Sequence, residues 1–146
     1  EESTLPDSLK YKTKLGREVY GGGGINPDIK IQRDTTLNFK MINLILINGW
    51  IRDFSMQYSD RNRNNIFKTK SSKEYLSKIE KILLSQFLKY IDDIDKDISE
   101  KLNNTDKKYL KKQIKANIAR NLWSTKDYYR IIIEDDEYVK AALNHK

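Results

Sequence analysis

Apolar residues beyond residue 34 recur at steps of three and four, which is the spacing of one face of an α-helix. This part of the chain contains no proline and a single glycine, Gly49, so it holds no strong helix breaker. The pattern predicts four helices, at about residues 37–58, 71–102, 107–123 and 135–144. The second helix either continues to about residue 102 or breaks near the aspartates at 92, 93 and 95.

Two of these helices have informative apolar patterns. The first is apolar almost all round between Met41 and Ile47, which predicts that it is the most buried helix. The third carries Leu110, Ile114 and Ile118 at steps of four after an Asn-Asn-Thr-Asp turn that supplies an N-cap. The helices together predict a small bundle.

The N-terminal part has the short alternating runs of β-strands. Residues 9–13 and 17–20 suit two strands, and residues 14–16 suit a tight connection between them. A lone hairpin is marginal in water, so it needs another strand or surface. The sequence predicts a mainly α fold with two parts: a β-hairpin and Gly-rich loop over residues 1–34, and a bundle of about four helices over residues 35–146.

Composition narrows the class of protein. The chain has 146 residues, of which 38% are hydrophobic and 34% charged, as in a globular protein of one domain. Its longest apolar run is far too short for a membrane span. Because it has no cysteine, disulfides and thiolate metal sites are excluded.

The formal net charge of +7 comes entirely from the part beyond residue 34. The densest basic cluster lies on the third predicted helix, at Lys107, Lys108, Lys111, Lys112 and Lys115. Such a cluster is typical of the solvated face of an amphipathic helix, and few aromatic residues accompany it to stack on bases. Binding of nucleic acid or an anionic surface is the alternative interpretation, because clustered cations bind phosphates.

Four of the six glycines are consecutive, at residues 21–24, and an Asn-Pro-Asp sequence follows closely. No phosphate-binding motif surrounds them, so we expect a structural loop in which Asp28 binds local amides and not a metal ion. The only histidine, His145, has no partner nearby in sequence, and we assign it no role. We expect no cofactor.

Residues 14–29 resemble a segment of the C-terminal processing (tail-specific) serine peptidases, roughly Thr-x-x-Gly-Arg-x-Val-Tyr, then glycines, then Gly-Ile-x-Pro-Asp-Ile. More loosely, residues 114–123 and the later Tyr128-Tyr129 pair are similar to a helical extension found in some members. The residues that match the motif, all in structural roles, are Gly16, Arg17, Val19, Tyr20, Gly21, Gly22, Gly23, Gly24, Ile25, Pro27 and Asp28.

The resemblance implies that the chain is a non-catalytic C-terminal portion of such a peptidase. In that family the segment follows the Ser/Lys catalytic pair, and no residue here matches that pair, so we expect no catalytic residue and no activity of the chain alone. The helical part would act as a scaffold or interaction domain. Implied partners are an upstream peptidase domain and a second copy bound through residues 1–34, and the parent would lie in the bacterial cell envelope. The alternative is a stand-alone basic helical module that binds nucleic acid or an anionic surface.

Overall fold

A computed structural model of the chain describes residues 9–14, 16, 18–21, 30–31, 35–64, 69 and 71–144. The chain divides into two compact units, Glu1–Arg33 and Asp34–Lys146. The described residues of the first unit form a β-hairpin, and those of the second are almost entirely helical. The predicted fold class, mainly α with an N-terminal hairpin, is confirmed.

The hairpin pairs strand β1 (Lys10–Lys12) with strand β2 (Glu18–Tyr20) in antiparallel fashion. In the turn, Gly16 has a φ of 80°, a conformation that favours glycine because it has no Cβ. Its N–H donates to the carbonyl oxygen of Thr13 at 2.9 Å. The turn therefore depends on the glycine that the sequence places there.

The described side chains of the hairpin are exposed. Tyr11 lies opposite Val19, and their exposed fractions are 59% and 39%. Lys10 forms an ion pair with Glu18 across the strands, with 2.7 Å between Nζ and Oε2. The described hairpin residues are held by backbone pairing and this surface pair, without a buried core of their own.

The second unit has six α-helices among its described residues, and a 3₁₀ turn at Ser99–Lys101 precedes the fourth. The helices are α1 (Phe39–Ile47), α2 (Trp50–Asn62), α3 (Ser72–Ile94), α4 (Asn104–Leu122), α5 (Thr125–Ile133) and α6 (Glu137–Asn144). Each of these helices is too short or too polar to cross a lipid bilayer.

The first predicted helix is in fact two helices, because Gly49 adopts a left-handed backbone conformation that interrupts the right-handed helix. This residue has a φ of 71°, in the left-handed region that ends a helix and that costs other residues about 1–2 kcal/mol. Helix α1 therefore stops at Ile47 and α2 begins at Trp50. Helix α5 was not predicted, although Ser124 caps it by accepting the N–H of Asp127 at 3.2 Å.

Helix α4 is the centre of the bundle and packs against α2, α3 and α5. Leu110, Ile114 and Ile118 on its apolar stripe are fully buried. From the neighbouring helices, the Phe54 ring meets the edge of the Phe87 ring with the centroids 5.3 Å apart. Burial of these side chains supplies the main driving force for folding of this unit.

One buried carboxylate joins the N-termini of α1 and α4. Asp106 is fully buried and accepts the backbone N–H of Asn38 at 2.8 Å and that of Asn103 at 2.9 Å. The Asn103 side chain in turn accepts the Asp106 N–H, which completes a capping box, and donates to the carbonyl of Thr36 at 3.0 Å. Asp106 is thus a structural carboxylate, with its hydrogen-bonding capacity used inside the fold.

Helix α1 is not the most buried helix, contrary to the prediction from its apolar sequence. It buries Met41, Ile42 and Ile45, whereas Ile47 is 85% exposed and Leu46 is 43% exposed. The apolar residues around the rest of its circumference have no covering element among the described residues of the unit.

Candidate functional site

The helical unit has a groove between α2 and α3, with a volume of about 510 Å³. Its floor is apolar and largely aromatic, formed by Phe54, Tyr58, Ile82 and Tyr90. Its rim is polar and is formed by Gln57, Arg61, Asn62, Gln86, Lys89 and Asp93. An apolar floor with a few polar groups around it is the usual composition of a binding site.

The antiparallel packing of α2 on α3 positions this groove. Phe54 on α2 contacts Phe87 and Tyr90 on α3, with centroid distances of 5.3 and 5.5 Å. Tyr58, later on α2 than Phe54, hydrogen-bonds with Tyr75, which is earlier on α3 than Phe87, as expected for antiparallel helices. Ile82 is 50% exposed, whereas Phe54 and Tyr58 are almost fully buried, so Ile82 is the apolar residue of the floor that a ligand can reach most easily.

The tyrosines of the floor are neutral hydroxyls. Burial raises the pKa of Tyr58, and the neighbouring Tyr75 raises it further. Burial also raises the pKa of Tyr90, with a smaller contribution from the negative charge of Asp53. A phenol with a raised pKa is a poor general base near neutral pH, so these rings offer apolar contact and hydrogen bonds but no proton-transfer chemistry.

The cations of the rim lack carboxylate partners. Arg61 donates from Nη2 to Oε1 of Gln57 at 3.4 Å, and within the described residues neither Arg61 nor Lys89 forms an ion pair. Asp93 adds one carboxylate to the same rim. The groove therefore presents two cations that have no ion pair within the described part of the chain, together with one carboxylate.

The basic cluster on α4 has a different environment. Glu80 on α3 pairs with Lys111 at 2.9 Å and with Lys115 at 3.4 Å. The hydrogen bond from Lys111 holds the pKa of Glu80 below its usual range, and the charges of both lysines contribute. These two lysines therefore lie in a cleft between helices and are partly neutralised, which corrects the expectation of a freely solvated face.

A third cluster joins two serines to a carboxylate at the N-termini of α3 and α5. Ser72 donates to Asp127 at 2.7 Å and Ser124 donates to it at 2.6 Å. These hydrogen bonds, that of Ser124 first, hold the pKa of Asp127 below its usual range. Because a carboxylate with a lowered pKa is a weak base, the cluster is a helix-capping arrangement and not a nucleophile with its base.

The described residues do not form a candidate metal site. In the residues that the structure describes, no three His, Cys, Asp or Glu side chains converge to hold a metal ion. The described part of the helical unit contains a groove, paired charges and capped helices.

A model for a family of unknown function (DUF8443) matches residues 41–124, which is more than half of the chain. The chain belongs to this family. No curated protein and no solved structure matches it. The matched segment of DUF8443 extends from α1 to the end of α4, so it contains both helices of the groove.

The assignment to the C-terminal processing peptidases is wrong, because the matching family is DUF8443 and no curated peptidase matches. The glycine motif on which that assignment relied lies outside the DUF8443 segment. An upstream peptidase domain and a cell-envelope location, which were expected from the resemblance alone, have no other support.

The motif residues fall in the first unit, and the structure describes four of them. Gly16 is in the hairpin turn, Val19 and Tyr20 are on β2, and Gly21 follows, with its N–H donating to the carbonyl of Leu9 at 2.7 Å. The remaining motif residues, and His145, lie outside the described residues: Arg17, Gly22, Gly23, Gly24, Ile25, Pro27 and Asp28.

The groove residues were not identified as functional candidates from the sequence. Gln57 and Gln86 lie on helices whose pairing is a tertiary feature, so no spacing within either segment could bring them together. The one available signal was the presence of aromatic residues on both segments, at Phe54, Tyr58, Phe87 and Tyr90.

Proposed function

We propose that the helical unit of this DUF8443 protein is a non-catalytic interaction module that binds a segment of another polypeptide in the α2–α3 groove. The observation that carries this proposal is the half-exposed Ile82 in a groove backed by aromatic side chains, beside Arg61 and Lys89, which lack carboxylate partners among the described residues. Grooves of this kind accept the apolar face of an amphipathic helix, whose polar residues then meet the rim.

The chemistry of the groove supports binding and not catalysis. Tyr58 and Tyr90 have raised pKa values, so they stay protonated near neutral pH. The rim adds amides and the unpaired cations Arg61 and Lys89, which can position a ligand but do not supply an activated nucleophile.

Binding of nucleic acid or an anionic surface is the alternative, and the arrangement of the α4 lysines weakens it. Lys111 and Lys115 are engaged with Glu80, and the cleft beside them also contains Glu134 and Asp135. Mixed charge of this kind lowers the affinity for phosphates, which depends on cations that are free to replace counterions.

Three parallel titrations of the full chain, followed by NMR, test the proposal. The probes are a model amphipathic helical peptide with an acidic polar face, a short DNA duplex and vesicles with anionic lipid. We expect the peptide to shift the signals of Ile82, Phe54 and Tyr90. We also expect Ile82→Glu to weaken peptide binding about tenfold or more, because it places a charge on the apolar floor.

Met56→Glu is the matched control. Met56 is 60% exposed on α2 and does not line the groove, so its change should leave peptide binding unaltered. No perturbation of the groove by the peptide, or equal weakening by both variants, would contradict the proposal. Tight, salt-sensitive binding of DNA or vesicles with no peptide binding would favour the alternative.

A further inference from the structure

The C-terminal helix α6 has an apolar face that the rest of its unit leaves open. Tyr138, Val139, Ala142 and Leu143 lie on one side of this helix, because they are spaced by one, three and four residues. None of the residues of α6 is buried, and Tyr138 and Leu143 are 61% and 62% exposed. An amphipathic helix in this state has the apolar surface of a binding element.

Four consecutive acidic residues, Glu134 to Glu137, lead into this helix. Asp136 caps it by accepting the N–H groups of Tyr138 and Val139 at 2.9 and 3.1 Å. Asp135 pairs with Lys140 at 3.4 Å, whereas Glu134 and Glu137 form no ion pair within the described residues. Glu134 ends α5 and lines the cleft with the α4 lysines, so Glu137 is the acidic residue of α6 that is available to a cation elsewhere.

We propose that α6 of one protomer occupies the α2–α3 groove of a second copy, an inference that rests on the groove being a binding site. The apolar face of α6 would cover the floor at Ile82, and Glu137 would approach Arg61 and Lys89. The charges are complementary, because Glu137 brings a carboxylate to a rim on which these two cations outnumber the one carboxylate, Asp93.

Two features favour a second copy as the occupant. In the single chain, Ile82 in the groove is half exposed and Leu143 on α6 is largely exposed, so α6 does not fill its own groove. Each copy carries both halves of the contact, and reciprocal insertion closes the assembly into a twofold dimer. A second copy of the chain is also always available, at the same concentration as the groove that it would occupy.

Charge reversal provides a test that uses the full chain, with sedimentation velocity as the measurement. In the groove variant, Arg61→Glu and Lys89→Glu make the rim acidic. In the helix variant, Glu137→Lys makes α6 basic. We expect the unmodified chain to dimerise and each variant alone to dimerise about tenfold or more weakly, because like charges then meet in both contacts of each dimer.

Mixing the two variants should restore dimerisation, because both contacts of the mixed dimer then join opposite charges. The acidic α6 of the groove variant meets the original basic rim, and the basic α6 of the helix variant meets the acidic rim. Loss of folding cannot explain recovery on mixing, and helical circular dichroism of each variant provides a further check. Met56→Lys is the control and should leave the dimer unchanged.

Several outcomes would overturn this inference. A chain that is monomeric at high micromolar concentration, or a dimer that resists both reversals, would do so. The exposed apolar residues of α1 are a competing surface for dimerisation, and Ile47→Lys tests them. A dimer that is lost only in this variant assembles through α1. If the chain is monomeric but the acidic model peptide still binds the groove, the interaction module stands and only the choice of a second copy fails.

Discussion

Helices α4 and α6 are both amphipathic, yet one buries its apolar face completely and the other buries none of it. Leu110, Ile114 and Ile118 of α4 are fully buried between neighbouring helices, whereas Leu143 of α6 is 62% exposed. The apolar pattern of a helix shows that it requires a partner surface, but the pattern does not tell whether the same chain provides that surface. Substitutions in α4 should therefore affect folding, and those in α6 should affect association.

The largest loss of stability is expected when a buried side chain of α4 is shortened. Ile114→Ala removes fully buried methyl groups and should lower the free energy of unfolding by about 2–5 kcal/mol, through lost burial and a residual cavity. Urea unfolding followed by circular dichroism measures this change. A loss below 1 kcal/mol (about the cost of one methylene) would mean that the bundle does not pack around α4.

The capping carboxylates of the two helices offer a second comparison. Asp106→Ala leaves the N–H groups of Asn38 and Asn103 without their acceptor in a buried setting, at an expected cost of about 1–3 kcal/mol. Asp136→Ala removes the cap of α6 but should barely change global unfolding, because α6 buries no residue. Equal effects on the urea midpoint would contradict the contrast between the helices.

Acid should weaken the attachment of α5, the helix between α4 and α6. The pKa of Asp127 is lowered in the folded chain by hydrogen bonds from Ser124 and Ser72, so the folded state binds its proton less readily than the unfolded state. The stability due to Asp127 is therefore complete above the ordinary aspartate pKa and is lost as the pH falls through the lowered value.

Asp127→Asn tests this dependence when unfolding is measured from neutral to acid pH. The variant should be less stable at neutral pH and should lose less stability than the unmodified chain on acidification. Glu80 and Asp92 also have lowered pKa values, so the difference between the two curves is the relevant quantity. Parallel curves would show that Asp127 does not contribute.

The smallest effect on folding is expected in α6. Leu143→Ala shortens an exposed side chain, so the free energy of unfolding should change by less than about 0.5 kcal/mol. The same substitution should weaken self-association if α6 binds the groove of a second copy. A large loss of stability would show that α6 is packed on its own unit, contrary to its exposure.

The sequence predicted the features that depend on local chemistry. The N-cap turn before α4 is present, with Asn103 and Asp106 forming the capping box. Of the two ends left open for the second predicted helix, the structure has the break beside the aspartates, at Ile94, where Asp92 accepts the N–H of Ser99 at 2.8 Å. These features arise among residues close in sequence, which is why spacing and residue type were sufficient.

Features that depend on distant residues were not predicted. The exposure of Ile47 depends on which helices cover α1, and the groove depends on the pairing of α2 with α3. Gly49 is a different case, since a lone glycine is compatible with a helix and only its φ of 71° separates α1 from α2. The exposed faces and the groove are properties of the assembled bundle.

The hydrogen bonds of Asp106 should form at different stages of folding. Its hydrogen bonds with Asn103 span three residues and form with the first turn of α4, whereas its bond from Asn38 joins positions 68 residues apart. Closing that long loop has a larger entropic cost, so the local contact precedes the distant one. We therefore expect the first turn of α4 to form before the beginning of α1 docks onto it.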